Sequence, residues 1–348
     1  MLEDRHGDGR REVARLHRLG LNHPALKMDS VQVTARTLAA LSPARCFASF
    51  TAPVSSLAFT DDSRFLLASD DTRSFQVFDV TSGSQVSSSE DIPLGVSQVC
   101  ATHHSHALLY SNSLGSEPTV TYCNWKLQQR IWRTTEPSRK VVQLCMSPAT
   151  DAFLCVSADS HLLLFDLRQR HSVYRYHIEN AYGACAAAFD PTGTIFALGN
   201  SDARNSVIRL FDFRALPADP YLTHQIPGGT PVTSFEFSDN GQFALLCTSD
   251  CRATVLHAFG LTTKHAFQLE AGPGAAATAV FSACSRFIVC GVSTSNAVEL
   301  FDVETKAQAH RLEGTGGVRA LAWNKDYFML AVGGKELDVW LPDLIDDL

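Results

Sequence analysis

The chain has 348 residues, 45% of them apolar and 19% charged, the make-up of a water-soluble protein with a large core. A formal charge of −7 argues against a protein held on nucleic acid mainly by neutralising phosphates. There is no run of 18 apolar residues and no signal-peptide stretch, so neither membrane association nor secretion is expected, and ten scattered cysteines without a Cys-x-x-Cys fit a reducing intracellular setting.

Residues 1–35 read as a flexible basic arm. Arg5, Arg10, Arg11, Arg15, Arg18 and Lys27 outnumber Glu3, Asp4, Asp8 and Glu12, and glycines at 7, 9 and 20 break the segment. A short amphipathic helix over Glu12–Leu19 also fits, as does an arm for nuclear targeting or partner binding. From Val54 a grammar of short strands begins. Val54–Phe59 alternates, Asp61–Arg64 is a turn, Phe65–Ser69 is almost wholly apolar, Asp70–Arg73 is a second turn, and Phe75–Val80 is a third strand before Thr81–Ser84 leads to an outer fourth. The same order restarts at Val141, Ala184, Val232, Ala277 and Val318, with Asp190–Gly193 and Asp239-Asn-Gly241 supplying turn residues tolerant of positive φ. A less regular unit starts at Val96 and holds a longer loop over Ser111–Pro118.

The third strands close on Phe78-Asp79, Phe165-Asp166, Phe211-Asp212 and Phe301-Asp302, or on worn versions at Trp125, Ala258 and Leu341. From Asp79 these positions advance by 46, 41, 46, 46, 44 and, to Leu341, 39 residues. A strand-rich period of that size marks a WD-repeat β-propeller. The expected fold is therefore all-β, with seven blades over residues 36–342 and an acidic tail at 343–348. The last blade stops at Trp340-Leu341-Pro342 without an outer strand, while Arg45–Phe50 is a strand with no repeat of its own. Residues 44–50 are thus expected to complete blade 7 and close the ring.

Candidate chemistry is sparse. His103-His104-Ser-His106 lacks a fourth ligand nearby and reads as a turn, and Cys247 and Cys251 sit on a strand and its turn. Gly314-Thr-Gly-Gly317 has no Lys-Ser/Thr ending and reads as a link into the last blade. The starts of the channel-facing strands are mostly Val, Ala, Ser and Leu, so no catalytic, cofactor-binding or metal residue is assigned. The recurring Phe-Asp carboxylates follow the repeat and read as architecture. The turn after each second strand and the link into each first strand share one face of a propeller. Arg73, Arg139, Lys140, His161, Arg204, Arg252 and Lys335 fall there, which gives either an ordinary solvated surface or a cationic rim for an acidic or phosphorylated peptide.

Several passages are more specific than the general pattern. They are Val142–Leu154 followed by Leu164–Arg168, Phe189–Gly199 with Leu210–Arg214 and Asp219-Pro-Tyr221, Phe237–Phe243, the His257-Ala-Phe-Gly260 that replaces a Trp-Asp ending, and the final Trp340–Pro342. In this order, over about residues 30–342, the chain resembles the small WD-repeat subunit of the Set-one/COMPASS histone methyltransferase, the Swd-two/WD-repeat eighty-two family. The resemblance implies a non-enzymatic nuclear adaptor at RNA polymerase II genes. It implies protein partners: a histone methyltransferase subunit, a PNUTS-like scaffold of protein phosphatase 1 acting in transcription termination, and the phosphorylated polymerase tail. It implies a monomeric propeller within a hetero-complex, with no cofactor and no direct contact to nucleic acid or membrane. The alternative reading is a WD-repeat substrate receptor of a ubiquitin ligase or another cytosolic adaptor. The basic arm and the divergent blades 2 and 6 depart from the family pattern.

Overall fold

Within blade 1, each strand's burial follows its composition. Phe65–Asp70 and Phe75–Asp79 are buried along their whole length, because both faces pack against neighbouring sheets. The Ser- and Gln-rich Ser84–Ser89 lies on the outside and is exposed or half-buried. The inner strand, Val54–Phe59, is buried at Val54 and Ser56 and half-buried elsewhere. These four strands pair antiparallel in sequence order. A computed structural model of the chain, which describes residues 26–28, 31–70, 72–89, 92–179, 185–202, 204–272 and 274–343, repeats this unit seven times. The Glu12–Leu19 helix, most of the basic arm and the tail beyond Asp343 lie outside the described residues.

The ring follows from contacts between first strands. Those of blades 1 to 7 begin at Val54, Gln98, Val141, Ala186, Val232, Ala277 and Ala320, each touches the next, and the seventh returns to the first. The seams rest on close approach. A Cβ on Gly333, in the second strand of blade 7, would lie 2.8 Å from Val54 Cγ1 of blade 1, so only glycine lets the sheets meet there. The turns between first and second strands use the left-handed region, Gly193 and Gly241 at φ +66° and +67° and serines at 63 and 285. Among the described residues no helix is long and apolar enough to cross a membrane.

Closure comes from the N-terminal side, with one shift in boundary. The strand is Leu41–Phe47, three residues earlier than the 44–50 expected, and it pairs with Leu337–Pro342 from Leu41↔Pro342 to Phe47↔Leu337. Residues 48–50 leave the sheet because they already belong to blade 1. The Ser49 hydroxyl donates to Gln76 Oε1 at 2.6 Å, and Phe50 lies 6.4 Å from Phe78. A one-and-a-half-turn helix over Ala35–Ala39 precedes the strand and was not anticipated. Thr34 and Thr37 cap it reciprocally, and Leu38, fully buried, joins Val31, Val33 and Leu41 in the core shared by blades 6 and 7. Leu26 and Met28 pack against the same cluster.

The Phe-Asp endings do structural work. Asp79 accepts the backbone N–H of Thr81 and Ser82 at 2.9 and 3.0 Å, and Asp302 accepts those of Glu304 and Thr305 at 2.8 and 3.0 Å. Burial pushes both carboxyls up, but these hydrogen bonds and the ion pairs from Arg64 and Arg286 outweigh it and hold both below the ordinary aspartate value. Asp166 and Asp212 fix their turns in the same way, accepting from the N–H of Arg168 and Arg214.

Candidate functional site

The seven predicted cationic residues all fall on the face formed by turns after second strands and links into first strands. Arg73, His161, Arg204, Arg252 and Lys335 are at or beside the former, and Arg139 and Lys140 are in the link before Val141. The turns are built on acids that precede the cations. Asp202 accepts the N–H of Arg204 and Asn205 at 2.7 and 2.6 Å, which lowers its pKa. Asp70 is buried, yet hydrogen bonds from Thr72 and Thr51 hold it below its ordinary value. Asp159, held low by Ser138 and Ser157 against its burial, lies 3.2 Å from His161 Nδ1. Asp250 lies 3.6 Å from Arg252.

The predicted set therefore divides. His161 and Arg252 are partnered by the acid of their own turn, and Arg73 is engaged as well. The side chains of Arg139, Lys140, Arg204 and Lys335 are exposed and have no ion pair among the described residues. Two of these meet in one place. Arg139 and Lys140 wall a groove of about 870 Å³ whose opposite side is the 112–118 loop of blade 2. Asn112 shapes that loop by donating to Leu114 O at 2.7 Å and Glu117 O at 2.9 Å and accepting from Thr119 N at 2.6 Å. Lys140 also reaches the adjoining mouth of the central channel, about 480 Å³, where Arg319 stands across from it beside Ser55, Ser97, Gln98 and Ser293. Arg204, Arg252, Arg73 and Lys335 line neither space.

Arg319 was missed by the sequence reading, which took Val318 as the start of a strand. The strand begins at Ala320, so Arg319 sits in the link before the first strand of blade 7, as Lys140 does before that of blade 3. On the opposite face many cations are paired: Arg64, Arg168, Arg214 and Arg286 with the Phe-Asp carboxylates, Lys264 with Glu304 at 2.8 Å, and Lys325 with Asp239 at 3.1 Å, while Lys126, Arg170 and Lys306 in its turns are exposed and have no ion pair among the described residues.

The remaining clusters resolve simply. His103 hydrogen-bonds Asp61 of blade 1 and Thr150 O of blade 3, and His106 packs on Phe65 and Trp125, so the histidines tie blades together and do not converge. All ten cysteines are unpaired, and Cys247 and Cys251 are buried. One group outside the sequence reading lies at the closing seam. The Cys46 thiol donates to Glu336 at 2.7 Å beside Asp338, and burial, joined by these neighbouring acids, pushes the thiol far up and Asp338 to about 6.

Comparison with known proteins agrees with this architecture. The family model "WD domain, G-beta repeat" matches residues 42–79, which run from the closing strand through the third strand of blade 1, so one sequence repeat is shared between two blades. The chain is 28% identical to Protein ANTHESIS POMOTING FACTOR 1 of Arabidopsis thaliana, over 85% of its own length and 89% of that protein. It is 28% identical to WD repeat-containing protein 82 of Drosophila melanogaster, over 86% and 93%. It is 29% identical to COMPASS component SWD2 of Saccharomyces cerevisiae, over 62% and 64%.

Proposed function

We propose that this chain, a WD-repeat scaffold of the Swd2 and WD repeat-containing protein 82 family, is a nuclear adaptor without catalytic activity in complexes that act on RNA polymerase II transcription. A subunit role in a COMPASS-type histone methyltransferase is the first reading, because one relative carries that assignment in its name. A role beside a PNUTS–protein phosphatase 1 assembly in termination is part of the same proposal and rests on the family resemblance alone. The partners are proteins, the propeller is a monomer inside a hetero-complex, and no cofactor is required.

The observation that carries the proposal is the convergence of Arg139, Lys140 and Arg319 on one groove and channel mouth in a chain of net charge −7. Arginine and lysine side chains uncommitted to internal pairs suit a segment bearing carboxylates or phosphates. Each charge-assisted hydrogen bond contributes about 1.5–3 kcal/mol, so three support a useful transient complex. Arg204 and Lys335 lie farther round the same face and extend the footprint of a longer segment. Affinity purification of the full chain followed by mass spectrometry tests the assignment. Methyltransferase, phosphatase-scaffold or termination subunits are the expected companions. Cullin components in their place would contradict it.

A further inference from the structure

The opposite mouth of the channel holds a residue that breaks the seven-fold repeat. The penultimate residue of each first strand is Ala58, Cys100, Cys145, Ala188, Val280 or Ala322 in six blades and Glu236 in blade 5. Strand pairing confirms that these positions are equivalent: Glu236 lies opposite Leu245 as Ala58 lies opposite Leu67 and Cys145 opposite Leu154. Six blades pack this site with a small apolar group, so the propeller itself does not call for a carboxylate here.

The surroundings are those of a binding pocket. Glu236 lines a cavity of about 280 Å³ together with Met146, Phe189, Phe237, Phe281 and Trp323. Oε2 accepts the backbone N–H of Phe281 at 3.2 Å, which leaves the second oxygen without a donor among the described residues. The nearby cation, Lys325, is already bound to Asp239 at 3.1 Å. The Trp323 indole N–H is buried and has no hydrogen-bond partner among the described residues. Burial pushes Glu236 up to about 8, Asp239 adds to this, and the Phe281 N–H and Lys325 oppose it. The other titratable groups around it are the Cys145 and Cys247 thiols, both raised mainly by burial, and Asp190 at the cavity wall. The side chain therefore mostly keeps its proton at neutral pH, and a cation seated against it would favour the ionised form.

We propose that this cavity, lined by Phe189, Phe237, Phe281 and Trp323, binds the arginine side chain of a partner segment with its guanidinium held by Glu236. An ionised Glu236 repels acidic segments, and a planar guanidinium matches a carboxylate fork better than a compact ammonium does. The pocket lies on the face away from Lys140 and Arg319, so it is independent of the acidic-segment site, and one scaffold then engages two segments of opposite charge on its two faces.

The test is calorimetric titration of the full chain with acetyl-Ala-Arg-Ala-amide and with versions carrying citrulline or lysine in place of arginine. The arginine peptide is expected to bind at least tenfold tighter than the citrulline peptide, which keeps the shape but not the charge, and tighter than the lysine peptide. Binding should strengthen at least tenfold from about pH 6 to about pH 9, as Glu236 gives up its proton. Glu236→Gln keeps an acceptor for the Phe281 N–H and should weaken binding at least tenfold and abolish the pH dependence, whereas Lys140→Glu on the other face should leave binding intact. Equal binding of the citrulline peptide, which requires no variant, overturns the proposal. So does unaltered binding by a folded Glu236→Gln protein, or no binding at any pH.

Discussion

Removing the closing strand should cost the protein its fold, and the size of the effect follows from what that segment buries. Deleting residues 1–52 takes Val31, Val33, Leu38 and Leu41, all at most 9% exposed, out of the core of blades 6 and 7, and takes Phe47 off Phe78, 4.4 Å away. At about 1.5–3 kcal/mol per buried aliphatic or aromatic side chain, the four core residues alone contribute roughly 6–12 kcal/mol. That equals the whole stability of a typical domain, about 5–15 kcal/mol. The deletion also strips the partner from Leu337–Pro342, a wholly buried strand, and leaves an apolar edge open to pairing with other chains. A 53–348 fragment should therefore aggregate. A 26–348 fragment should behave as the full chain does. A 31–348 fragment, which loses the packing of Leu26 and Met28 and the Met28 N–H bond to Asp326 O at 2.8 Å, should fold but melt at lower temperature. Size-exclusion chromatography and thermal melting read all three. A soluble, monomeric 53–348 fragment with a cooperative melt would refute the reasoning.

Three smaller perturbations probe the seams and turns. Gly333→Ala forces a Cβ to 2.8 Å from Val54 Cγ1 and 3.2 Å from Leu57 Cδ1, and should destabilise by about 1–3 kcal/mol in chemical denaturation; an unchanged midpoint would contradict the close approach. Asp302→Ala removes the acceptor for two backbone N–H groups and for Arg286, and should cost about 1–3 kcal/mol, whereas Asp302→Asn should recover part of it. Asp338 is raised from 3.8 to about 6, chiefly by burial, with Glu336 adding and Cys46 opposing. Its folded form prefers the proton, so its penalty is absent below about pH 4, grows between about pH 4 and 6, and reaches at most about 3 kcal/mol above that. Asp338→Asn should accordingly raise the melting temperature at about pH 7.5 more than at about pH 5, and the reverse order would contradict the assignment.

The fold was legible because its signal is repeated. Phe-Asp at the end of third strands, apolar second strands and turn residues at fixed offsets together specify seven four-stranded sheets, and the unpaired end of blade 7 pointed to an N-terminal closing strand. What the sequence hid was one-off detail. Thr34 and Thr37 cap a short helix that no periodicity announces, and the exact closing register depends on Ser49 being claimed by Gln76. The cationic face could be located from topology, but which cations are committed depends on the turn acids Asp159 and Asp250 beside His161 and Arg252. Arg319 was hidden by a two-residue difference in strand start. Glu236 was overlooked for a different reason: it stands near the end of its strand rather than at the start, and its meaning emerges only when strand register shows six small residues in its place.

On the function proposed above, the cations at the groove between blades 2 and 3 and at the adjoining channel mouth form the partner-binding face. Its most direct test is titration of a multiply phosphorylated serine-containing peptide against the full chain and an Arg139→Glu, Lys140→Glu, Arg319→Glu variant, with Arg252→Glu as a control whose cation is already paired with Asp250. The triple variant should lose at least tenfold in affinity, and the control should change little. Equal affinity of the triple variant and the unaltered chain would contradict it.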